Sequence, residues 1–170
     1  MAAGELSITT VTAQSERCVL NGRRVSLAPG VDRSAWCERL TDPDALLADA
    51  RQVHASHSAR IDVTQIDGTA VAIKRFPARS LLQRCGDRYR GGPARRAFDA
   101  ALYLQAHAVG TPRPIAAMDA APGDETGGWL ITEWLASHRT FKDILAERLT
   151  RGGPAPALVA LLRVVAGAVR

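Results

Sequence analysis

A predicted β-hairpin in the middle of the chain constrains its fold most strongly. Two stretches that alternate apolar and polar residues, 59–66 and 69–76, flank the dipeptide Asp67-Gly68. A period of two is typical of β-strands, and Asp-Gly favours a tight hairpin turn because both residues can adopt positive φ. On the second strand, the alternation assigns Val71, Ile73 and Arg75 to one face and Ala72, Lys74 and Phe76 to the other.

The rest of the sequence extends this hairpin into an α+β domain. An upstream strand near residues 50–54 would complete a three-stranded meander. Residues 93–107 have the apolar spacing of a helix, with Pro93 in its first turn. The apolar and β-branched runs 115–120 and 129–134 predict two more strands. We therefore expect a five-stranded antiparallel sheet with one packed helix.

The predicted sheet divides the chain into three parts. Residues 1–49 are expected to form an N-terminal extension with a small hairpin and a short helix. Residues 50–135 carry the sheet and its helix. Residues 136–170 contain two amphipathic helical patterns, at 140–149 and 155–170, which are predicted to begin a second lobe that the chain does not complete.

Length and composition are those of one compact domain with a core. Of the 170 residues, 46% are apolar, and no uncharged apolar run is long enough to span a membrane. The N-terminus lacks the basic and apolar regions of a secretory signal. Cys18, Cys37 and Cys85 are widely spaced, with no CxxC or Cys/His pattern typical of zinc sites. We therefore expect a cytoplasmic protein in which the cysteines are ordinary small apolar residues.

Positive charge is concentrated between the hairpin and the predicted helix. The net charge is +5, and residues 74–96 contain eight basic residues against one acid, Asp87. Such a field attracts anions such as a nucleotide, a phosphorylated glycolipid, nucleic acid or an anionic membrane face, and its sign does not choose among them. Nucleic acid is disfavoured, because few aromatic side chains in or beside this stretch, such as Tyr89 and Phe98, could stack on bases. The alternative to an anion-binding role is that these arginines simply lie on a solvent-exposed face.

The second strand of the hairpin carries a short motif with a specific chemistry. Val71-Ala72-Ile73-Lys74 matches the third-strand lysine motif of kinase-fold enzymes. A lysine on a central strand is held rigidly by its neighbours, so its ammonium group can reach the α- and β-phosphates of a nucleotide. An acid on the following helix keeps that lysine in place and charged. A strand lysine that extends into solvent is the alternative.

Four longer stretches carry a more specific pattern. They are DGTAVAIKRF at 67–76, the arginine-rich linker at 81–98, TPRPIA at 111–116 and LITEWL at 130–135. Together they resemble the lipopolysaccharide kinase family over roughly residues 50–135. The resemblance implies a protein-kinase-like N-lobe and an ATP-dependent phosphotransferase that phosphorylates Kdo or heptose sugars of the lipopolysaccharide core. It also implies peripheral association with the inner membrane, where the basic stretch would meet an anionic glycolipid.

The resemblance further implies a set of nucleotide-binding residues. Lys74 would bind the phosphates, and the loop 54–60 would cover them. That loop has no glycine, so the hydroxyl groups of Ser56 and Ser58 would donate hydrogen bonds in place of backbone amides. Asp99, the one acid on the predicted helix, would hold Lys74, and a solvent-facing role for Asp99 fits its position equally well. The other implied contacts are Ala72 in the adenine pocket and Glu133, Trp134 and Leu135 in the hinge.

The sequence departs from that family in the residues that perform the transfer. It contains no His-Gly-Asp, His-Arg-Asp or Asp-Phe-Gly motif, which would supply the catalytic base and the Mg²⁺ ligands. We therefore name no catalytic residue and no metal ligand. We expect the chain alone to bind ATP weakly and to be inactive, with Mg²⁺ bound only if a second lobe is supplied. Apolar faces left uncovered on the last two helical patterns would favour self-association.

Two other functions stay open at this point. A related enzyme could phosphorylate a protein Ser/Thr or another hydroxyl group, because the second lobe chooses the acceptor. Alternatively, a non-catalytic basic module could bind nucleic acid or an anionic partner through the arginine-rich stretch. Binding by such a module would depend strongly on salt and not on ATP.

Overall fold

The structure is a computed structural model that describes residues 15–78, 80, 87, 91–121, 126–136 and 147. The chain divides into two compact units, Met1–Trp134 and Leu135–Arg170, and nearly all described residues belong to the first. The predicted helices at 140–149 and 155–170 lie outside the described residues, apart from the single residue Glu147.

The first unit is an α+β fold built on one antiparallel sheet. Its strands are β1 (Glu16–Leu20), β2 (Arg23–Leu27), β3 (Arg51–Ala55), β4 (Arg60–Ile66), β5 (Thr69–Pro77), β6 (Pro114–Asp119) and β7 (Thr126–Glu133). Its described helices are α1 (Arg33–Thr41), a 3₁₀ helix (Pro43–Leu47) and α2 (Pro93–Ala106). The strands lie in the order β1-β2-β6-β7-β5-β4-β3.

The hairpin predicted in the middle of the chain is confirmed. β4 and β5 pair without interruption from Arg60 opposite Arg75 to Ile66 opposite Thr69. At the turn, Asp67 has a φ of 50° and Gly68 a φ of 74°. Both values lie in the left-handed region, which matches the right-handed twist of two paired strands.

The prediction of five strands was wrong, because seven strands form the sheet in the described part of the chain. The hairpin of β1 and β2, assigned to an N-terminal extension, adds to the sheet through antiparallel pairing of β2 with β6, where Val25 lies opposite Met118 and Leu27 opposite Ala116. A hairpin outside the sheet would expose the side chains of β2 to solvent, but Val25, Ser26 and Leu27 are all buried. A strand buried on both faces belongs inside a sheet.

The helices agree with the sequence where their local signals are strong. α2 begins at Pro93 and ends at Ala106, as predicted within one residue. The short helix predicted in the N-terminal extension is a 3₁₀ helix that begins at Pro43 and ends at Leu47. α1 was not predicted. Asp32 caps it by accepting a hydrogen bond from the Ala35 amide at 3.1 Å, but only Trp36 and Leu40 are buried, which leaves little apolar periodicity to detect.

The two faces of the sheet carry separate apolar clusters. One face packs under α1 and the 3₁₀ helix; its buried members include Trp36, Leu40, Val71, Ile73, Trp129 and Ile131. The other face packs under α2; its buried members are Ala28, Ala94, Phe98, Ala117 and Leu130. Val71 and Ile73 lie in the first cluster, and Phe76 packs against the second, so the predicted alternation along β5 is confirmed. Lys74 therefore shares the sheet face that α2 covers.

Candidate functional site

Lys74 lies on an interior strand, with its backbone paired on both sides. It is opposite Ile61 of β4 and Leu130 of β7. Its side chain is half-buried, and Nζ lies 5.1 Å from the centre of the Phe76 ring. Phe76 is itself packed against the apolar cluster under α2. The paired backbone fixes the root of the Lys74 side chain, and the face of the Phe76 ring attracts the ammonium group electrostatically.

Within the described part of the chain, Lys74 forms no ion pair. The predicted partner, Asp99, is directed elsewhere: it is exposed, and its Oδ2 accepts a hydrogen bond from Arg95 Nε at 3.3 Å. Arg95 lies one helical turn before Asp99, which is the spacing at which side chains on a helix surface meet. In this structure Asp99 therefore takes the solvent-facing position that the sequence left open, and it pairs with Arg95 and not with Lys74.

The face of α2 that packs on the sheet explains why no acid reaches Lys74 from this helix. Ala94 and Phe98 are fully buried there, and Ala97 and Leu102 pack beside them. Asp99 follows Phe98 directly, so the helix turns its carboxylate away from the sheet. The ammonium group of Lys74 consequently has an aromatic neighbour but no carboxylate supplied by α2.

Ala72 lies two residues before Lys74 on the same sheet face. It is buried and pairs with Val63 of β4 and Thr132 of β7. Two residues along a strand correspond to about 7 Å, so the Ala72 methyl group and the root of the Lys74 side chain are neighbours on one surface.

The predicted hinge begins as the last part of β7. The Glu133 amide donates to the Arg113 carbonyl oxygen at 2.9 Å, and the Trp134 amide donates to the Ala70 carbonyl oxygen at 2.9 Å. Both amides therefore donate hydrogen bonds to neighbouring backbone groups and are not free to bind a ligand. A base bound at this edge would have to use carbonyl oxygens, and the third predicted hinge residue, Leu135, belongs to the second unit.

The loop predicted to cover the phosphates is closed on itself. Ser56 Oγ accepts hydrogen bonds from the amides of Ser58 at 3.3 Å and Ala59 at 3.2 Å, and lies 3.0 Å from Ser58 Oγ. The Ser56 amide donates to the Ala59 carbonyl oxygen at 2.9 Å. Serine thus stabilises a tight turn that has no glycine. Ser56 Oγ also donates to the Ala59 carbonyl oxygen at 3.2 Å, so the hydroxyl groups expected to meet a phosphate form hydrogen bonds within the turn instead.

Sequence reasoning missed an ion pair on the opposite face of β5. The Asp62 carboxylate accepts two hydrogen bonds from Arg75, from Nε at 3.1 Å and from the terminal nitrogen Nη2 at 2.7 Å. The Arg75 guanidinium lies 5.8 Å from the centre of the Trp129 ring. Alternation had placed Arg75 on this face, but the partner became visible only through the register of β4 against β5. This cluster is part of the core rather than of a ligand site.

A second missed feature is a buried carboxylate at the start of α2. Asp119, at the end of β6, approaches Gly92 so closely that a Cβ atom there would overlap Oδ1. Burial raises the pKa of the Asp119 carboxyl group, and this outweighs the opposing effects of Arg24 and Arg95 and of the Gly92 amide. No sequence signal marks Asp119, because its surroundings come from three distant segments.

The described residues contain no cluster of three or more His, Cys, Asp or Glu side chains that could hold a metal ion. Among those residues, too, no helix has the length and apolar character needed to cross a membrane. Comparison with protein-family models, with curated proteins and with solved structures found no match for this chain.

Proposed function

We propose that this chain binds an ATP-like nucleotide through Lys74, as the N-lobe-like part of a kinase-type phosphotransferase. The observation that carries the proposal is the position of Lys74. It lies on an interior strand, its ammonium group rests over Phe76, and no described carboxylate neutralises it. A half-buried cation with one fixed aromatic neighbour is suited to meet an anion, and phosphate oxygens are strong acceptors for it.

The same surface accounts for the base and sugar of the ligand. Ala72 lies one strand pleat from Lys74 on the same sheet face, and the end of β7 at Glu133 provides a backbone carbonyl group beyond it. Because the amides of Glu133 and Trp134 already bond within the sheet, we expect the hinge contacts to be fewer than the resemblance implies. We therefore expect the nucleotide to bind weakly.

The acceptor and the transfer step rest on the family resemblance alone. By that resemblance the acceptor is a Kdo or heptose hydroxyl group of an anionic glycolipid, met at a membrane face, and another hydroxyl acceptor is the variant of the same proposal. The 170 residues contain no catalytic-loop or metal-binding motif of that family. We therefore limit the proposal for these 170 residues to nucleotide binding, and propose no residue for phosphoryl transfer or Mg²⁺.

The test is calorimetric titration of the chain with ATP, with and without Mg²⁺. Lys74→Met keeps the length of the side chain and removes its charge. Arg51→Gln, on the edge strand β3, removes one positive charge from an exposed position and is the matched control. We expect Lys74→Met to weaken ATP binding at least roughly tenfold, by loss of a charge-assisted contact of about 1.5–3 kcal/mol, and Arg51→Gln to leave it unchanged.

Equal losses in the two variants would contradict the proposal, because they would show a response to net charge and not to Lys74. Undiminished binding by Lys74→Met would contradict it as well. In both cases circular dichroism must show that the variant retains the fold.

A second candidate, an anion-binding module, is favoured by the arginines at the start of α2. Both arginines of α2 already form ion pairs, however: Arg95 with Asp99, and Arg96 with Asp87 at 3.1 Å. Their partners reduce the field available to an external polyanion. Binding of a single-stranded oligonucleotide that falls steeply with salt and is unaffected by ATP would favour this module over the nucleotide site.

A further inference from the structure

Two cysteines that are far apart in the sequence are adjacent in the fold. The sulfur atoms of Cys18 on β1 and Cys37 on α1 lie 3.6 Å apart, and both thiols are free and half-buried. Sequence reasoning treated them as unrelated small apolar residues. Their proximity is a property of the tertiary structure, since 19 positions separate them along the chain.

Both cysteines are held by well-anchored elements. Cys18 lies in the middle of β1 and pairs with Val25, inside a five-residue ladder with β2. Cys37 follows Trp36, whose side chain is buried in the core, and its carbonyl oxygen accepts a hydrogen bond from Thr41 Oγ1 at 2.9 Å. The separation of the thiols is therefore set by packing and backbone pairing on both sides, not by a loop.

We propose that Cys18 and Cys37 are a modification site: a dithiol that is oxidised reversibly to a disulfide joining the β1–β2 hairpin to α1. A disulfide has a sulfur–sulfur length of about 2.0 Å, so the two sulfur atoms must approach by about 1.5 Å, a movement within reach of side-chain rotation and a small shift of β1. β1 is an edge strand whose only described pairing is with β2, so a small adjustment of β1 breaks no other strand pairing.

The oxidant is a low-molecular-weight disulfide, of which oxidised glutathione is the type. The thiolate of one cysteine attacks the oxidant, forming a mixed disulfide and releasing one thiolate. The second cysteine, as its thiolate, then attacks the protein sulfur of the mixed disulfide, forming the Cys18–Cys37 bond and releasing the second thiolate. Two protein thiols lose two electrons and two protons, and the oxidant gains them as two thiols.

The surroundings of the pair bear on how fast it reacts. Burial raises the pKa of the Cys18 thiol, and its neighbour Cys37 adds to that effect, while Arg33 opposes it and Glu16 adds a little. Cys18 is consequently in the thiol form at neutral pH, and the thiolate that attacks is scarce. Exchange at Cys18 is therefore expected to be slow at neutral pH, so the oxidation has to be followed until it reaches equilibrium.

The test measures the exchange equilibrium with glutathione in the folded and the unfolded chain. The full chain is equilibrated with mixtures of oxidised and reduced glutathione, in buffer and in concentrated urea, then acid-quenched, alkylated and mapped by mass spectrometry. We expect a peptide linked through Cys18 and Cys37, with an equilibrium constant roughly 30- to 900-fold larger in buffer than in urea. This ratio corresponds to about 2–4 kcal/mol of stabilisation.

Two variants decide between this site and non-specific oxidation. Cys85→Ser retains both members of the pair and is expected to behave as the unmodified chain does. Cys37→Ser is expected to yield only a glutathione adduct on Cys18. Equal exchange constants in buffer and in urea would overturn the proposal. A cross-link to Cys85, or separate glutathione adducts on Cys18 and Cys37 of the folded chain, would overturn it as well.

Discussion

Removing one member of the Arg75–Asp62 pair is expected to destabilise the fold far more than removing both. The Asp62 side chain is only 7% exposed and that of Arg75 20%, so either charge left alone would be largely shut off from water. We expect Asp62→Val and Arg75→Met each to lower the free energy of unfolding by about 3–5 kcal/mol, since breaking a buried pair leaves an uncompensated charge.

The double variant is the informative measurement. Asp62→Val with Arg75→Met replaces the pair by apolar groups, and the methionine keeps the stem that packs near Trp129. Replacing both members of a buried pair is often neutral or better, so we expect the double variant to lie within about 2 kcal/mol of the unmodified chain. The single effects would sum to about 6–10 kcal/mol, which implies a coupling of at least about 4 kcal/mol.

Urea unfolding followed by fluorescence is a suitable assay, because the chain has three tryptophans and Trp129 lies beside the pair. Arg33→Met is the matched control: its ion pair with Glu16 is 3.8 Å long and more than half exposed, so we expect a change below about 1 kcal/mol. If the effects of Asp62→Val and Arg75→Met simply add in the double variant, the two charges are not coupled and the reasoning is refuted.

Two further predictions concern the start and the buried face of α2. Phe98→Ala is expected to lower the free energy of unfolding by about 3–5 kcal/mol, because Phe98 is fully buried in the cluster under α2; in the same urea assay, Tyr103→Ala on the exposed side of the helix should change it by less than about 1 kcal/mol. Burial raises the pKa of Asp119 above its ordinary value of 3.8, so the folded chain binds the carboxyl proton more tightly than the unfolded chain does. The stability that the neutral carboxyl group provides is therefore present at low pH, and it is lost as the pH rises through the pKa of the folded state. Asp119→Asn should therefore raise the melting temperature at pH 7, and this gain should shrink as the pH falls towards 4. Asp49→Asn, at an exposed position, should give no such gain. A difference in melting temperature between Asp119→Asn and the unmodified chain that is constant at all pH values would contradict this assignment.

The sequence by itself determined the features that depend on neighbouring residues. The β4–β5 hairpin could be predicted because its alternation and its Asp67-Gly68 turn act within a few residues. α2 could be predicted because Pro93 and a regular apolar spacing mark its start and its buried side. The sheet face that carries Lys74 could be assigned from the same alternation. These signals are local, and the tertiary structure does not override them.

The tertiary structure decided everything that depends on which distant segments meet. Pairing of β2 with β6 made a seven-stranded sheet out of five expected strands. In the observed orientation of α2, Asp99 pairs with Arg95, and no acid of that helix pairs with Lys74. Packing of α1 against β1 brought Cys18 to Cys37, and packing of α2 against β6 buried Asp119. A one-dimensional pattern assigns a residue to a face, but its partner on that face is set by register and packing, which form only when the whole core closes.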